Sequence, residues 1–156
     1  MDDSVAGFEV SFDPARLDLV RICRWLSEES YWAAGRAESL IVQSFAGSEG
    51  SGVYELATGR QVAVARVVTD GATFAWICDV FVDVEFRGMG LGALLMEAVV
   101  EQLMEQRGIL RLLLATRDAH AVYARAGFEP IVGASRWMEI DRRPTRQAIL
   151  ASLADG

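Results

Sequence analysis

Arg87-Gly88-Met89-Gly90-Leu91-Gly92 sets three glycines at alternate positions between two apolar segments of different periodicity. The run before it, Phe74 to Val82, is rich in aromatic and β-branched residues and reads as a strand. Leu91 to Gln106 after it places Leu91, Leu94, Leu95, Ala98, Val99 and Leu103 on one helical face. Strand, glycine loop, helix is the order an anion site needs. Glycines let backbone N–H groups approach an anion closely, and a helix start adds unpaired donors and the positive end of its dipole. The chemistry this suggests is the gripping of a diphosphate. A nucleoside-triphosphatase loop is excluded, because Gly92 is followed by Ala93 and Leu94 rather than by Lys and Ser/Thr. Gly88, Gly90 and Ala93 satisfy the literal G-x-G-x-x-G/A dinucleotide fingerprint, with Asp118 as a ribose ligand. In that fold, however, the strand runs almost directly into the first glycine. Here five residues, Asp83 to Arg87, intervene, and only 64 residues follow Gly92.

A wider pattern accounts for the residues on both sides. Val80 to Gly92 reads V-x-V-x-x-x-x-R-G-x-G-x-G, and Ala119 to Phe128, AHAVYARAGF, reads A-x-x-x-Y-x-x-x-G-F. Loop and tail motif at this separation resemble the acyl-CoA-binding core of the GNAT family of N-acetyltransferases. The resemblance implies a single α/β domain over 1–143, with a helical tail at 144–156. Its sheet would be mixed and mostly antiparallel, and its parallel central strands, ending at Val82 and Thr116, would splay apart. It also implies acetyl-CoA as the cofactor. Pantetheine resembles a peptide and would lie like an added strand on the main chain of Val80, Phe81 and Val82, with Thr116 opposite. The amides of Arg87, Gly88, Met89, Gly90, Leu91 and Gly92 would hold the pyrophosphate.

Acetyl transfer to an amine requires a neutral amine, stabilisation of an oxyanion and a proton for the departing thiolate. Tyr123 occupies the tyrosine of the second motif, which in the family points at the coenzyme sulfur. A phenol with a pKa of about 10 can donate to a thiolate without being ionised. Asp79 interrupts an apolar strand, where a carboxylate needs a partner or a function. It can bind the ammonium of the acceptor, act as base through water, or anchor a loop. Cys78 precedes it, so the paired carboxylates of some polyamine-acetylating relatives are missing. His120 is a weaker base candidate. By the same resemblance the first two helices and their connection, carrying Trp25, Glu28, Glu29, Tyr31 and Trp32, form one wall of the acceptor pocket. Aromatics with acids can cage a cation, although the same residues suit a small capping core. Trp137-Met138-Glu139 can complete the pocket or finish the sheet. The implied activity is direct acetyl transfer from acetyl-CoA, in a ternary complex, to a primary amine of a small molecule. Protein lysines or N-termini, a non-catalytic acyl-CoA sensor and a nicotinamide-binding module are the alternatives.

Composition sets bounds. The chain of 156 residues fits one core, and 52% hydrophobic against 24% charged residues excludes disorder. No apolar run approaches the roughly 18 residues of a membrane helix, and MDDSVAGFEV is acidic where a signal peptide is basic. A cytoplasmic protein is expected. A net charge of −7 opposes general nucleic-acid binding and favours cationic partners, where it is more than a solubility device. One histidine and two distant cysteines make no metal site, and Cys23 and Cys78 read as unpaired buried thiols.

The elements that must position these residues follow from periodicity and punctuation. Phe8 to Phe12 alternates as a strand. Asp13-Pro14 is a helix start, after which Leu19, Ile22, Cys23 and Leu26 are buried. A second helix spans Arg36 to Phe45, and Ala46 to Gly52 forms a flexible glycine-serine loop. Strands follow at Val53 to Leu56 and Gln61 to Val68 around a turn at Thr58-Gly59. Thr69-Asp70-Gly71 turns into the Phe74 strand. Gly108 stops the long helix, and Leu110 to Thr116 is a strand. Asp118 caps a helix to Ala126, which Gly127 ends, and Phe128 to Ile140 holds the last strands. The terminal helix, Pro144 to Gly156, offers a face for a homodimer.

Overall fold

The computed structural model describes residues 5–154. Five strands form one sheet in the order β1-β2-β3-β4-β5: β1 Phe8–Ser11, β2 Glu49–Glu55, β3 Gln61–Thr69, β4 Ala75–Val82 and β5 Leu112–Leu113. The first four are antiparallel neighbours, and β5 joins β4 in parallel. Helices α1 (Leu19–Arg24) and α2 (Glu38–Ala46) cover one face, where Ile22, Trp25, Leu26, Ile41 and Phe45 pack with Val64 and Phe81. Helix α3 (Leu91–Val100) covers the other, burying Leu91, Leu95, Met96 and Val99 against Val53, Ala65, Val67 and Ile77. Two further helices, α4 (His120–Arg125) and α5 (Arg146–Ala154), complete the described chain. Among the described residues, no helix is long and apolar enough to cross a membrane.

Both α1 and α3 run on into wider turns, Trp25–Glu29 and Glu101–Gln106. In the first, the N–H of Ser30 donates to the carbonyl of Trp25 at 2.9 Å, five residues back. Such turns often occur at functional sites, and this one leads into the connection that carries Tyr31, Trp32 and Arg36.

Four expectations are corrected. Asp13 caps only the short turn Pro14–Arg16, and α1 starts five residues later because a second aspartate, Asp18, accepts from the N–H of Arg21 at 3.0 Å. The glycine-serine segment is not a loop: β2 already begins at Glu49, and Gly50, Ser51 and Gly52 are buried. Glycine is needed there for close approach, since a Cβ on Gly50 would stand 2.5 Å from Leu17 Cδ1. Asp118 does not cap α4; it pairs with Arg117, and the N–H of Ala119 donates to Thr116 Oγ1 instead. Finally, Phe128 to Ile140 forms no strand. Pro130 has no N–H for a ladder. Gly133, at φ 69°, turns the chain into a single tight turn, Ala134–Arg136, leaving Val132, Met138 and Ile140 89 to 96% exposed.

Strand β4 carries the one irregularity that matters for a site. Cys78 stands opposite Arg66 and Phe81 opposite Val64, so Asp79 and Val80 together face the single residue Ala65. The extra residue is a β-bulge, and Asp79 sits in it at φ 49°, a conformation that aspartate tolerates better than most. The bulge shifts side-chain parity. Ala75 and Ile77 before it, and Val80 and Val82 after it, pack on the α3 face, while Phe81 turns to the α1 and α2 face.

Candidate active site

The parallel pair β4–β5 is short. Ala75 and Trp76 lie opposite Leu112 and Leu113, the N–H of Ala75 donates to the carbonyl of Arg111 at 3.0 Å, and no ladder continues beyond. The six residues of β4 beyond Trp76, Ile77 to Val82, and the segment Leu114 to Thr116 are therefore not paired with each other. At the end of β4, Asp83 caps the turn Val84–Phe86 through the N–H of Glu85, at 3.1 Å, which delivers Arg87 to the mouth of the split. Gly88 and Gly90 follow at φ 78° and 83°, and Gly90 is the residue on which α3 starts. Left-handed backbone at such positions lets neighbouring amides turn to a common side, and the loop ends at the positive end of α3. A Cβ on Gly88 would meet nothing within 4 Å, so the loop is open on its outer side.

The remaining loop residues are placed less freely. Leu91 is 1% exposed and Phe81 4%, so both have only main chain to offer a ligand. Val80, Val82 and Met89 are partly buried against the α3 core. Arg87 lies across the strand end: its guanidinium is 5.0 Å from the centre of the Phe81 ring, and Nε donates to the carbonyl of Val82 at 3.0 Å. Thr116, on the opposite side, holds the entry to α4 by accepting from Ala119 at 3.1 Å.

Tyr123 stands on α4 with its ring edge against Phe128, centroids 6.0 Å apart. Its hydroxyl donates to no protein acceptor among the described residues. Burial, and to a lesser extent neighbouring Tyr31 and Asp118, pushes its pKa up to about 12, so it carries its proton throughout the neutral range. A cavity of about 930 Å³ runs along β5 and α4, with Leu113, Thr116, His120, Tyr123 and Phe128 in its walls.

On the other wall of the split, Asp79 is the centre of a charged cluster. Arg36 Nη1 donates to both of its oxygens at 3.2 and 3.1 Å, Arg66 Nε to Oδ2 at 2.8 Å, and Trp32 Nε1 to Oδ1 at 3.0 Å. Its side chain is 2% exposed, against 19% for Arg36 and 16% for Arg66. The connection after α1 sets this up: Ser30 Oγ donates to the Leu26 carbonyl and accepts from Ala33 N–H, which fixes the chain on either side of Trp32. Tyr31 packs edge-on against Trp32 at 5.1 Å, and the Arg117 guanidinium covers the Tyr31 ring at 3.8 Å, joining the two walls. Cys78, half-buried beside this cluster, is a free thiol pushed up to about 11 by burial.

Of the five wall residues named from sequence, only Tyr31 and Trp32 border the split. Trp25 is wholly buried and stacks on Phe81 at 5.6 Å, while Glu28 and Glu29 are exposed, the latter 3.8 Å from Arg24. Exposed His120 lies in the wall of the α4 cavity, and Trp137, 45% exposed, lies under Arg111 rather than at the split. Arg36, Arg66 and Arg117 were missed. A signal for Arg66 existed: it interrupts the apolar run QVAVARVV as Asp79 interrupts AWICDVFV. In the ladder Arg66 stands opposite Cys78, the residue before Asp79, and the bulge begins at Asp79.

Comparison with known proteins decides the family. The acetyltransferase (GNAT) family model matches residues 19–128. The chain belongs to the GNAT family. It is similar to a candidate GNAT acetyltransferase from Xanthomonas campestris pv. campestris, at 42% identity over 86% of this chain and 92% of that one, TM-score 0.78. A candidate acetyltransferase of Gibberella zeae is 27% identical over 74% of this chain and 75% of its own length. A Staphylococcus aureus protein of unknown function, 21% identical over 86% of this chain and 98% of its own, shares the fold at a TM-score of 0.68. This GNAT protein is accordingly a transferase, with a mixed five-stranded sheet in one domain.

Proposed function

We propose that this GNAT protein transfers an acetyl group from acetyl-CoA to a primary amine by direct transfer in a ternary complex. The observation that carries the reading is the coincidence of three features at one place. The β4–β5 split opens beside a glycine loop whose residues Gly88 and Gly90 have positive φ, and Tyr123 presents a protonated hydroxyl with no protein partner among the described residues. The residues present fit coenzyme A, because the loop is open where a Cβ on Gly88 would stand and β4 beyond Trp76 has no β5 partner. Acetyl-CoA, when bound, supplies the acetyl group as a thioester. The main chain of Val80 and Val82 would orient the pantetheine arm, and the amides from Gly88 to Gly92 the diphosphate. Arg87 would leave the Val82 carbonyl as that acceptor is taken, and would turn its charge to the diphosphate. Tyr123 would hold the proton that the departing thiolate needs. Asp79, with both oxygens engaged, would anchor the bulge and Trp32 rather than exchange protons.

A melting shift with coenzyme A, acetyl-CoA and NAD, followed by thiol release over a panel of primary amines, tests this reading. Stabilisation by the two coenzyme A species only, together with amine-dependent thiol release, is the expected result. No shift at millimolar coenzyme A overturns it. Binding without thiol release from any amine would instead make the protein an acyl-CoA sensor, which the full engagement of Asp79 also permits.

A further inference from the structure

The acceptor wall holds more positive than negative charge. Arg36 engages Asp79 through Nη1 alone and Arg66 through Nε alone. A guanidinium has five N–H donors in a planar fork, so most donors of both residues, including Nη1 and Nη2 of Arg66, meet no protein acceptor among the described residues. No other carboxylate pairs with either arginine among the described residues. Two guanidiniums against one carboxylate leave one positive charge in a chain whose overall charge is −7. Both side chains are more than four-fifths buried, where an uncompensated charge is costly. The cluster also adjoins the reaction point. Trp32, which donates to Asp79, packs on Tyr31, and Tyr31 is close enough to Tyr123 to help raise its pKa.

We propose that the acceptor amine carries an oxyanion, a carboxylate or a phosphate, which the free ends of Arg36 and Arg66 receive while Asp79 holds their stems in register. This deepens the acetyltransferase reading and rests on it. It also reverses what overall charge suggests: a polyamine would meet like charge at this wall, and an amino carboxylate or amino phosphate its complement. The planar fork fits either oxyanion in a bidentate way. Arg36 and Arg66 are positioning and binding residues here and take no part in the proton transfers.

The test is a matched series of acceptors at saturating acetyl-CoA: amino carboxylates, their primary amides, aminoalkyl phosphates, the corresponding amino alcohols, and polyamines. An oxyanion-bearing member is expected to exceed its neutral counterpart by at least about tenfold in kcat/KM, mainly through KM, as one charge-assisted contact would give. The carboxylate and phosphate arms decide which oxyanion is meant. Arg66→Gln is expected to narrow that preference to within about threefold, and Arg66→Lys to restore part of it. Acetate and inorganic phosphate, each added to coenzyme-A-saturated protein, provide a readout without turnover. One of them should raise Tm in the native protein and lose the effect in the glutamine variant. Preference for neutral or polyamine acceptors, or an equal loss on all acceptors in Arg66→Gln, would overturn the proposal. Coenzyme binding and thiol release stay intact in those outcomes. Loss of coenzyme A binding to the native protein is the separate failure of the acetyltransferase reading.

Discussion

Two buried aspartates lie four residues apart around the end of β4, each 5% exposed and each paired with two arginines, yet they are built differently. Asp83 meets Arg60 at 3.2 Å and Arg21 at 3.6 Å, and both arginines have a second acid: Glu85 at 2.8 Å for Arg60 and Asp18 at 3.3 Å for Arg21. Acids outnumber guanidiniums there, and Asp83 also caps a turn. In charge that network closes on itself, although Arg60 Nε is buried without an acceptor among the described residues. Asp79 meets Arg36 and Arg66 with no second acid on either among the described residues, so its network ends in guanidinium donors without an acceptor, that of Arg66 5.9 Å from the centre of the Phe45 ring. The difference teaches that pairing alone does not separate structural charge from site charge. What separates them is whether the counting leaves something over, and where that remainder points.

The comparison breaks first at Asp79. Asp79→Ala strands two largely buried guanidiniums and the Trp32 N–H together, and urea unfolding is expected to show a loss of about 3–5 kcal/mol. If the Asp79 side is the working side, Tyr123→Phe comes next. Steady-state turnover should fall by about 10²-fold while acetyl-CoA affinity in a direct titration stays within about twofold. Because the Tyr123 proton is held up to about 12, its loss lies above the working range. Turnover recorded from pH 7 to about 10 is expected to show no alkaline fall from this phenol. Asp83→Asn keeps the capping oxygen and leaves each arginine an acid, so the same unfolding experiment should register only about 1–2 kcal/mol. Gly90→Ala forces a side chain into positive φ at the start of α3, for about 1–2 kcal/mol of stability and weaker coenzyme binding by calorimetry. Glu85→Gln is smallest: Glu85 is 67% exposed at the rim of the closed network, and a change below about 1 kcal/mol is expected in unfolding. A large effect at Glu85 with a small one at Asp79 would invert the comparison.

The loop and its helix were legible because their signals are local. Three alternating glycines, the periodic face of Leu91, Leu95 and Val99, and Gly108 at φ 72° as the stop each act within a few residues. Asp18 was missed because two aspartates compete as caps, and only the docking of Leu17 against Gly50 separates their helical starts. The stretch Gly50 to Gly52 was misread because the same glycines that loosen a loop also let Leu17 and Phe45 lie against a strand. Strands were expected from Phe128 onward, but a local stretch of sequence does not report whether a sheet edge accepts a partner.

By itself the sequence determined the family, the order of elements up to α4, and the residues of the glycine loop, since these depend on local periodicity and on backbone conformations that only certain residues reach. The tertiary structure alone decided the charge of the cluster around Asp79. Arg36, Arg66 and Asp79 are separated by 13 to 43 positions, and their meeting requires a bulge that shifts β4 by one residue against β3. Electrostatic balance is a property of distances in space, and no local pattern along the chain carries it.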